Sequence, residues 1–209
     1  MTAELQDDLL SARMRSLATF APDYFHDLKG PLNTIALRLE VLRAVSAGAG
    51  GDERRRASMT AIEEQIRRLD RMLQGWLTYT APSDEPEAVC DLGTMARDIA
   101  AVVAPRARKR QLTFTVEVAD DGVNAVGRQD ALSTALLDLL RHAINGLGEG
   151  GVLGLRVERQ GSTVCCRISG AAFDIGATAL ASRIADLLRG TCAPDQTGQA
   201  VILALPVAS

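Results

Sequence analysis

At 209 residues, 47% of them apolar and only 3% aromatic, the chain can build one large domain or two small ones around a real core. Its 23 basic and 26 acidic side chains give a net charge of −3, and residues 1–82 carry 11 of each, so neither part is the basic footprint that nucleic-acid binding needs. No apolar run approaches the roughly 18 residues of a membrane span, and the acidic stretch Met1 to Leu10 lacks a signal-peptide core; a soluble cytoplasmic protein is expected.

Thr2 to about Val45 reads as one long helix, with a bend expected at Pro22. Apolar residues recur at alternating spacings of three and four: Met14, Ala18, Ala21, Phe25, Leu28, Leu32, Ile35, Leu39 and Leu42. That register is a coiled-coil or bundle seam. With Phe25 at position a, His26 falls at b, beside the seam and facing water. Pro31 has no N–H for the carbonyl of Asp27, and its ring presses on the same turn. A kink is therefore expected one turn after an exposed histidine. Ser46 to Gly51 break the helix, and Asp52 is placed to cap a second one. There Met59, Ile62, Ile66, Leu69, Leu73 and Trp76 continue the spacing. Two such helices on a short loop form an antiparallel hairpin. One hairpin cannot cover its own seam, whereas two copies make a four-helix bundle. A homodimer is expected; coverage of the seam by the rest of the chain is the alternative.

Ala81 to Pro86, with two prolines among polar residues, reads as a linker dividing 1–82 from 83–209. Beyond it, Leu92 to about Lys109 is helical, interrupted near Pro105. Leu112 to Val118 alternates as a strand, and Val123 to Val126 is a short one. Gln129 to Leu147 is apolar at helical spacing, through Leu132, Leu136, Leu139, Leu140, Ala143 and Ile144. Val152–Glu158 and Thr163–Ile168 form a hairpin turning at Gln160-Gly161. Ala177 to Leu188 is a helix, and Gln199 to Leu205 a last strand. This order predicts an α+β sandwich, with helices on one face of a mixed sheet. Cys90, Cys165, Cys166 and Cys192 make no C-x-x-C pair and have no histidine at ligand spacing; buried thiols are expected, with no metal site.

The run His26-Asp27-Leu28-Lys29-Gly30-Pro31-Leu32-Asn33 resembles the phosphoacceptor box of bacterial sensor histidine kinases, His-Glu/Asp-x-Arg/Lys-Thr/Asn-Pro-Leu. His26, Asp27, Lys29, Pro31 and Leu32 match. Gly30 departs, standing where the family carries Thr or Asn. Gly127 to Asp130 followed by Leu132 to Leu140 is similar to the lead-in to the asparagine box of the family's ATP-binding domain. The resemblance implies residues 1–82 as a dimerisation and phosphoacceptor hairpin and 83–209 as an ATPase-like α/β sandwich.

Three departures fall together at the nucleotide. His142 stands at the family's Mg²⁺-holding Asn, and imidazole is a poor ligand for an ion that prefers oxygen. Gly170, in Ile168-Ser169-Gly170-Ala171-Ala172, stands at the Asp that takes the adenine amino group. From Gly170 to Gly190 only about twenty residues occupy the place of a mobile lid, and Ile175-Gly176-Ala177 keeps one glycine of its phosphate loop. Asp174 is expected as a loop or cap residue. The domain is therefore expected to be degenerate.

The function this implies is histidine phosphotransfer in a two-component phosphorelay, moving phosphoryl between receiver aspartates through His26 without ATP. Alternatives are a non-catalytic scaffold that docks response regulators and a divergent ATP-dependent histidine kinase. An exposed imidazole is largely neutral and nucleophilic near pH 7. Asp27 is expected to accept its other ring N–H, and Lys29 to screen phosphoryl oxygens. Gly30, Asn33 and Leu37 lie four, seven and eleven residues beyond His26 on its face of the helix and are the expected partner-binding residues. Met72, Leu77 and Tyr79 are weaker candidates. No cofactor is expected on this chain, the Mg²⁺ belonging to the receiver. Partners are receiver domains, an upstream hybrid kinase and a second copy of the chain.

Overall fold

The computed structural model describes residues 3–44, 51–80, 88–119 and 123–208. Of the expected breaker over 46–51, residues 46–50 lie outside the described residues and Gly51 begins the second helix; the expected linker over 81–86 lies outside them too. Two helices, α1 (Ala3–Ala44) and α2 (Gly51–Thr80), form the expected hairpin. Helix α1 contains both Pro22 and Pro31 and is helical throughout. Asp52, expected as a cap, lies inside the first turn of α2.

The remainder runs β1 (Ala88–Asp91), α3 (Leu92–Lys109), β2 (Thr113–Val118), β3 (Asn124–Gly127), α4 (Gln129–Gly146), β4 (Val152–Gln160), β5 (Thr163–Ser169), α5 (Ile175–Leu187), β6 (Thr191–Pro194) and β7 (Ala200–Pro206). Five strands form one mixed sheet in the order β2-β4-β5-β7-β6, with β2 and β4 parallel and the other pairs antiparallel. Strands β1 and β3 pair separately. The sequence reading missed β1 and β6. Each is only four residues long.

Alternation along the strands produces the core layer. Register places Leu155 opposite Ile168 and Ile168 opposite Val201, and likewise Val157, Cys166 and Leu203 in a second row. All six are buried. Their neighbours Arg156, Glu158 and Arg167 sit on the opposite face, which period-two geometry requires. Between Gln160 and Thr163 the turn uses Gly161 at φ +62°, a conformation glycine adopts without steric cost. Helix α4 is buried nearly all round, from Ala131 through Leu140, so it is a central helix rather than an amphipathic cover. It contacts α1, α3 and α5 as well as the sheet.

Asp91 starts α3: its Oδ1 accepts from the backbone N–H of Gly93 (2.8 Å) and Thr94 (3.1 Å). At the other end of α3, Arg110 donates to the carbonyls of Ile144 (2.8 Å) and Leu147 (3.1 Å), satisfying the C-terminus of α4. The thiols of Cys90, Cys165 and Cys166 are buried and that of Cys192 half-buried, all free. Burial pushes the Cys166 thiol up to about 12, an inert rather than a reactive state.

Helix α1 carries two stripes, where the sequence reading recognised one. Leu5, Leu9, Ala12, Ser16, Phe20, Asp23 and Tyr24 are buried and belong to a face that packs on the C-terminal part of the chain. Met14 and Ala18, assigned to the seam, are exposed. From Phe25 onward the expected register holds but divides. Leu28, Ile35 and Leu42 on α1 and Ile62, Leu69 and Trp76 on α2 are half-buried. The alternate heptad positions remain open: Phe25 48%, Leu32 53% and Leu39 43% exposed, with Met59 51%, Ile66 52% and Leu73 46% on α2.

Candidate functional site

His26 is exposed midway along α1, level with the end of α3. Four of the chain's seven aromatic side chains build the support beneath it. Tyr24 stacks on Trp76 at 5.0 Å between ring centroids, Phe25 meets Trp76 edge-on at 5.2 Å, and Trp76 meets Tyr79 at 6.5 Å. The Tyr24 hydroxyl donates to the carbonyl of Met72, tying α1 to α2. Burial pushes the Tyr24 phenol up to about 12, so it remains a neutral donor. Tyr79 is buried and Met72 half-buried, which makes both of them packing residues rather than contact points; Leu77 is exposed.

The flank of His26 is charged. Asp23, one turn before it, is only 5% exposed. It accepts from Lys109 Nζ at 2.7 Å and from Arg106 at 2.9 Å. Burial alone would raise its carboxyl pKa, but the hydrogen bonds and charges of Lys109 and Arg106 outweigh burial and hold it below the usual carboxylate value. Asp27 accepts from Arg108. The expectation for Asp27 was a bond to the imidazole; its observed partner comes instead from the end of α3. Pro22, Asp23, His26, Asp27, Pro105, Arg108 and Lys109 enclose an open groove of about 470 Å³. The basic end of α3 therefore forms the wall of a groove that contains His26.

Lys29, Gly30, Asn33 and Leu37 are all exposed on α1 beyond this groove. A Cβ added at Gly30 would meet nothing within 4 Å. The position is open to solvent, and its glycine is not required by packing. Asp23, Arg106, Arg108 and Lys109 were missed by sequence reasoning. The signals were an acid at i−3 from His26, on its face of the helix, and four cations within the five residues Arg106–Arg110. Nothing in the sequence states that these two features meet.

The region where the resemblance would place nucleotide offers neither of the family's two oxygen donors. Gly170 has φ +111°, and a Cβ there would stand 1.9 Å from the carbonyl oxygen of Val152. No side chain, and so no carboxylate, fits that position in this backbone. The His142 ring lies 5.9 Å from the ring of Phe173. Ala171 and Phe173 are both buried, filling the end of the loop against α4. Asp174 caps α5 by accepting from Ala177 N–H at 2.7 Å, the role expected of it. His142 and Gly170 thus present no side-chain oxygen at these two positions.

Among the described residues no helix is long and apolar enough to cross a membrane. No family model matches the chain. Over 152 residues, 71% of its length, it is 33% identical to the sensor histidine kinase AruS of Pseudomonas aeruginosa. Over 177 residues, 84% of its length, it is 25% identical to the sensor histidine kinase ZraS of Escherichia coli K12. The chain spans 14% and 37% of those two relatives. Among solved structures, the histidine kinase ThkA in complex with the response regulator protein TrrA aligns over 100% of this chain and 68% of its own (TM-score 0.52, 15% identity). The Acinetobacter baumannii histidine kinase AdeS aligns over 88% of this chain and 98% of its own (TM-score 0.50, 14% identity). A nucleotide-free catalytic domain of ThkA covers 60% of the chain at a TM-score of 0.53 and 16% identity. The chain's relatives are sensor histidine kinases, its structural neighbours are histidine kinases and a histidine kinase catalytic domain, and its own core is sensor-histidine-kinase-like.

Proposed function

We propose that this protein is a histidine phosphotransferase that moves phosphoryl groups between receiver aspartates through His26, without ATP. The observation that carries the reading is the pairing of an exposed His26, in an acceptor box that departs only at Gly30, with a nucleotide region that has no place for a side chain at Gly170. In the transfer, the lone pair of one imidazole nitrogen attacks phosphorus. The P–O bond to the donor's carboxyl oxygen breaks, the carboxylate leaves with the electron pair, and the other ring nitrogen keeps its proton. Loss runs in reverse to a second receiver. The donor receiver brings its own Mg²⁺, so this chain supplies the nucleophile and its positioning. ThkA binds a response regulator, and a receiver docking over Gly30, Asn33 and Leu37 would meet His26 from the open side of α1.

A homodimer completes the reading. The exposed heptad positions on α1 and α2 form one apolar surface on the hairpin, and a second copy of that surface buries it as a four-helix bundle. The degenerate ATPase-like sandwich serves in this picture as a rigid wall at the upstream side of His26.

The test is incubation with prephosphorylated receiver, wild type beside His26→Ala, with ATP titrated calorimetrically in parallel. Transfer to wild type alone, with no heat from ATP, is the expected result. Micromolar ATP binding, or labelling of His26 from ATP alone, would replace this reading with a divergent kinase. Receiver binding without transfer would leave a scaffold.

A further inference from the structure

We propose that Arg108 and Lys109, at the end of α3, are the anion site for the phosphoryl group carried by His26. The inference rests on the reading of His26 as phosphoacceptor, and it assigns a chemical task to the C-terminal part of the chain. Three observations carry it. His26, Arg108 and Lys109 line the same groove, with room beside the imidazole. Their present partners are carboxylates of α1: Asp27 for Arg108 and Asp23 for Lys109. Both cations are mostly exposed, with 60% and 65% of their side chains open to solvent, so the Arg108–Asp27 pair is held weakly and the Lys109 ammonium stays accessible although its partner Asp23 is buried.

A phosphoryl group on His26 introduces more negative charge than a carboxylate and three acceptor oxygens. Arg108 presents a planar fork suited to binding two of them at once. Arg108 moves from Asp27 to phosphoryl, while Asp23 keeps Arg106 and so remains satisfied. Arg110 is not available, because it is committed to the carbonyls of Ile144 and Leu147. Lys29 stands on α1 itself, three residues beyond His26, and contributes general positive potential. The charges facing the phosphoryl are then Arg108, Lys109 and Lys29 against Asp23 and Asp27.

The site is tested on the full chain loaded with phosphoramidate, in which phosphoryl passes from the donor nitrogen to imidazole and ammonia leaves. His142 is the only other histidine, so the ³¹P signal lost in His26→Ala is that of position 26. Its pH titration reports the charge around it. A bound guanidinium favours the doubly ionised phosphoryl, so Arg108→Ala should raise its apparent pKa by about one unit, Lys109→Ala by less, and Arg108→Lys should restore part of the shift. Arg183→Ala breaks the pair with Asp8, which lies roughly 27 Å along α1 from His26. It loosens docking without touching the groove and should leave the titration where it is. An unchanged titration in Arg108→Ala, or an equal shift in Arg183→Ala, overturns the anion site while leaving His26 as acceptor. Absence of any signal from position 26 in wild type overturns both.

Discussion

Leu32→Glu tests the dimer most directly. Leu32 is 53% exposed in the single chain, so a glutamate there meets water and the protomer should fold normally. In a four-helix bundle the same side chain faces the partner. Fully burying a leucine is worth about 1.5–3 kcal/mol, so covering the open half contributes about 1 kcal/mol per protomer. Glutamate forfeits that and adds an uncompensated carboxylate at an apolar seam, on the order of 2 kcal/mol or more each. Two-fold symmetry counts both terms twice, giving on the order of 6 kcal/mol against association, or roughly four decades in Kd. Sedimentation velocity at micromolar concentration should show a wild-type dimer and a Leu32→Glu monomer of unchanged helicity by circular dichroism. Leu37→Glu, also exposed but off the open stripe, should remain dimeric. A monomeric wild type, or a Leu32→Glu variant that still dimerises with wild-type affinity, would refute the assignment of the stripe.

Gly170→Ala should destabilise the protein by more than about 3 kcal/mol in urea unfolding, because the backbone is left-handed there and the new Cβ collides with the Val152 carbonyl. Gly30→Ala should act oppositely, stabilising by up to about 1 kcal/mol, since the site is helical and empty around the Cβ. Gly30→Thr places a hydroxyl one turn after His26; raised dephosphorylation of receivers, or slowed transfer, is expected, and no change in either rate would remove any role for this position. Asp91→Ala, which deletes the cap of α3, should cost about 1 kcal/mol. Asp23 has a lowered carboxyl pKa in the fold, so its contribution is present above the usual value of about 3.9 and lost as pH falls through the lowered one. Thermal stability of wild type should therefore decline below about pH 4, and Asp23→Asn should be less stable at pH 7 and flatter with pH; parallel curves would show that Lys109 and Arg106 do not set this carboxyl.

Much of the architecture followed from local chemistry. The heptad spacing of Phe25 to Leu42 and of Met59 to Trp76 specifies two amphipathic helices. The runs Val152–Gln160 and Thr163–Ser169 read as strands, and Gly161 marks the turn between them. His26 stands out in the sequence because imidazole, acid, base and proline stand at fixed offsets on one helix. Asp174 was legible as a cap, since an N-cap uses only the residues beside it. None of these needs knowledge of a distant residue.

What the fold alone decided lies where separate stretches meet. Leu5, Leu9, Ala12, Phe20 and Tyr24 form a second apolar stripe, but spacing cannot say which of two stripes meets the sandwich and which stays open. The sequence points Asp27 at the imidazole and gives Asp23, Arg106, Arg108 and Lys109 no role. Only docking of α3 against α1, 81 residues apart in sequence for Asp27 and Arg108, turns them into the charged wall of the His26 groove. The same holds at Gly170, whose missing side chain is a bare substitution in the sequence and a collision with Val152 in the fold. Periodicity records how each segment partitions between water and core; contacts between segments depend on which cores coincide, and only the folded chain sets that.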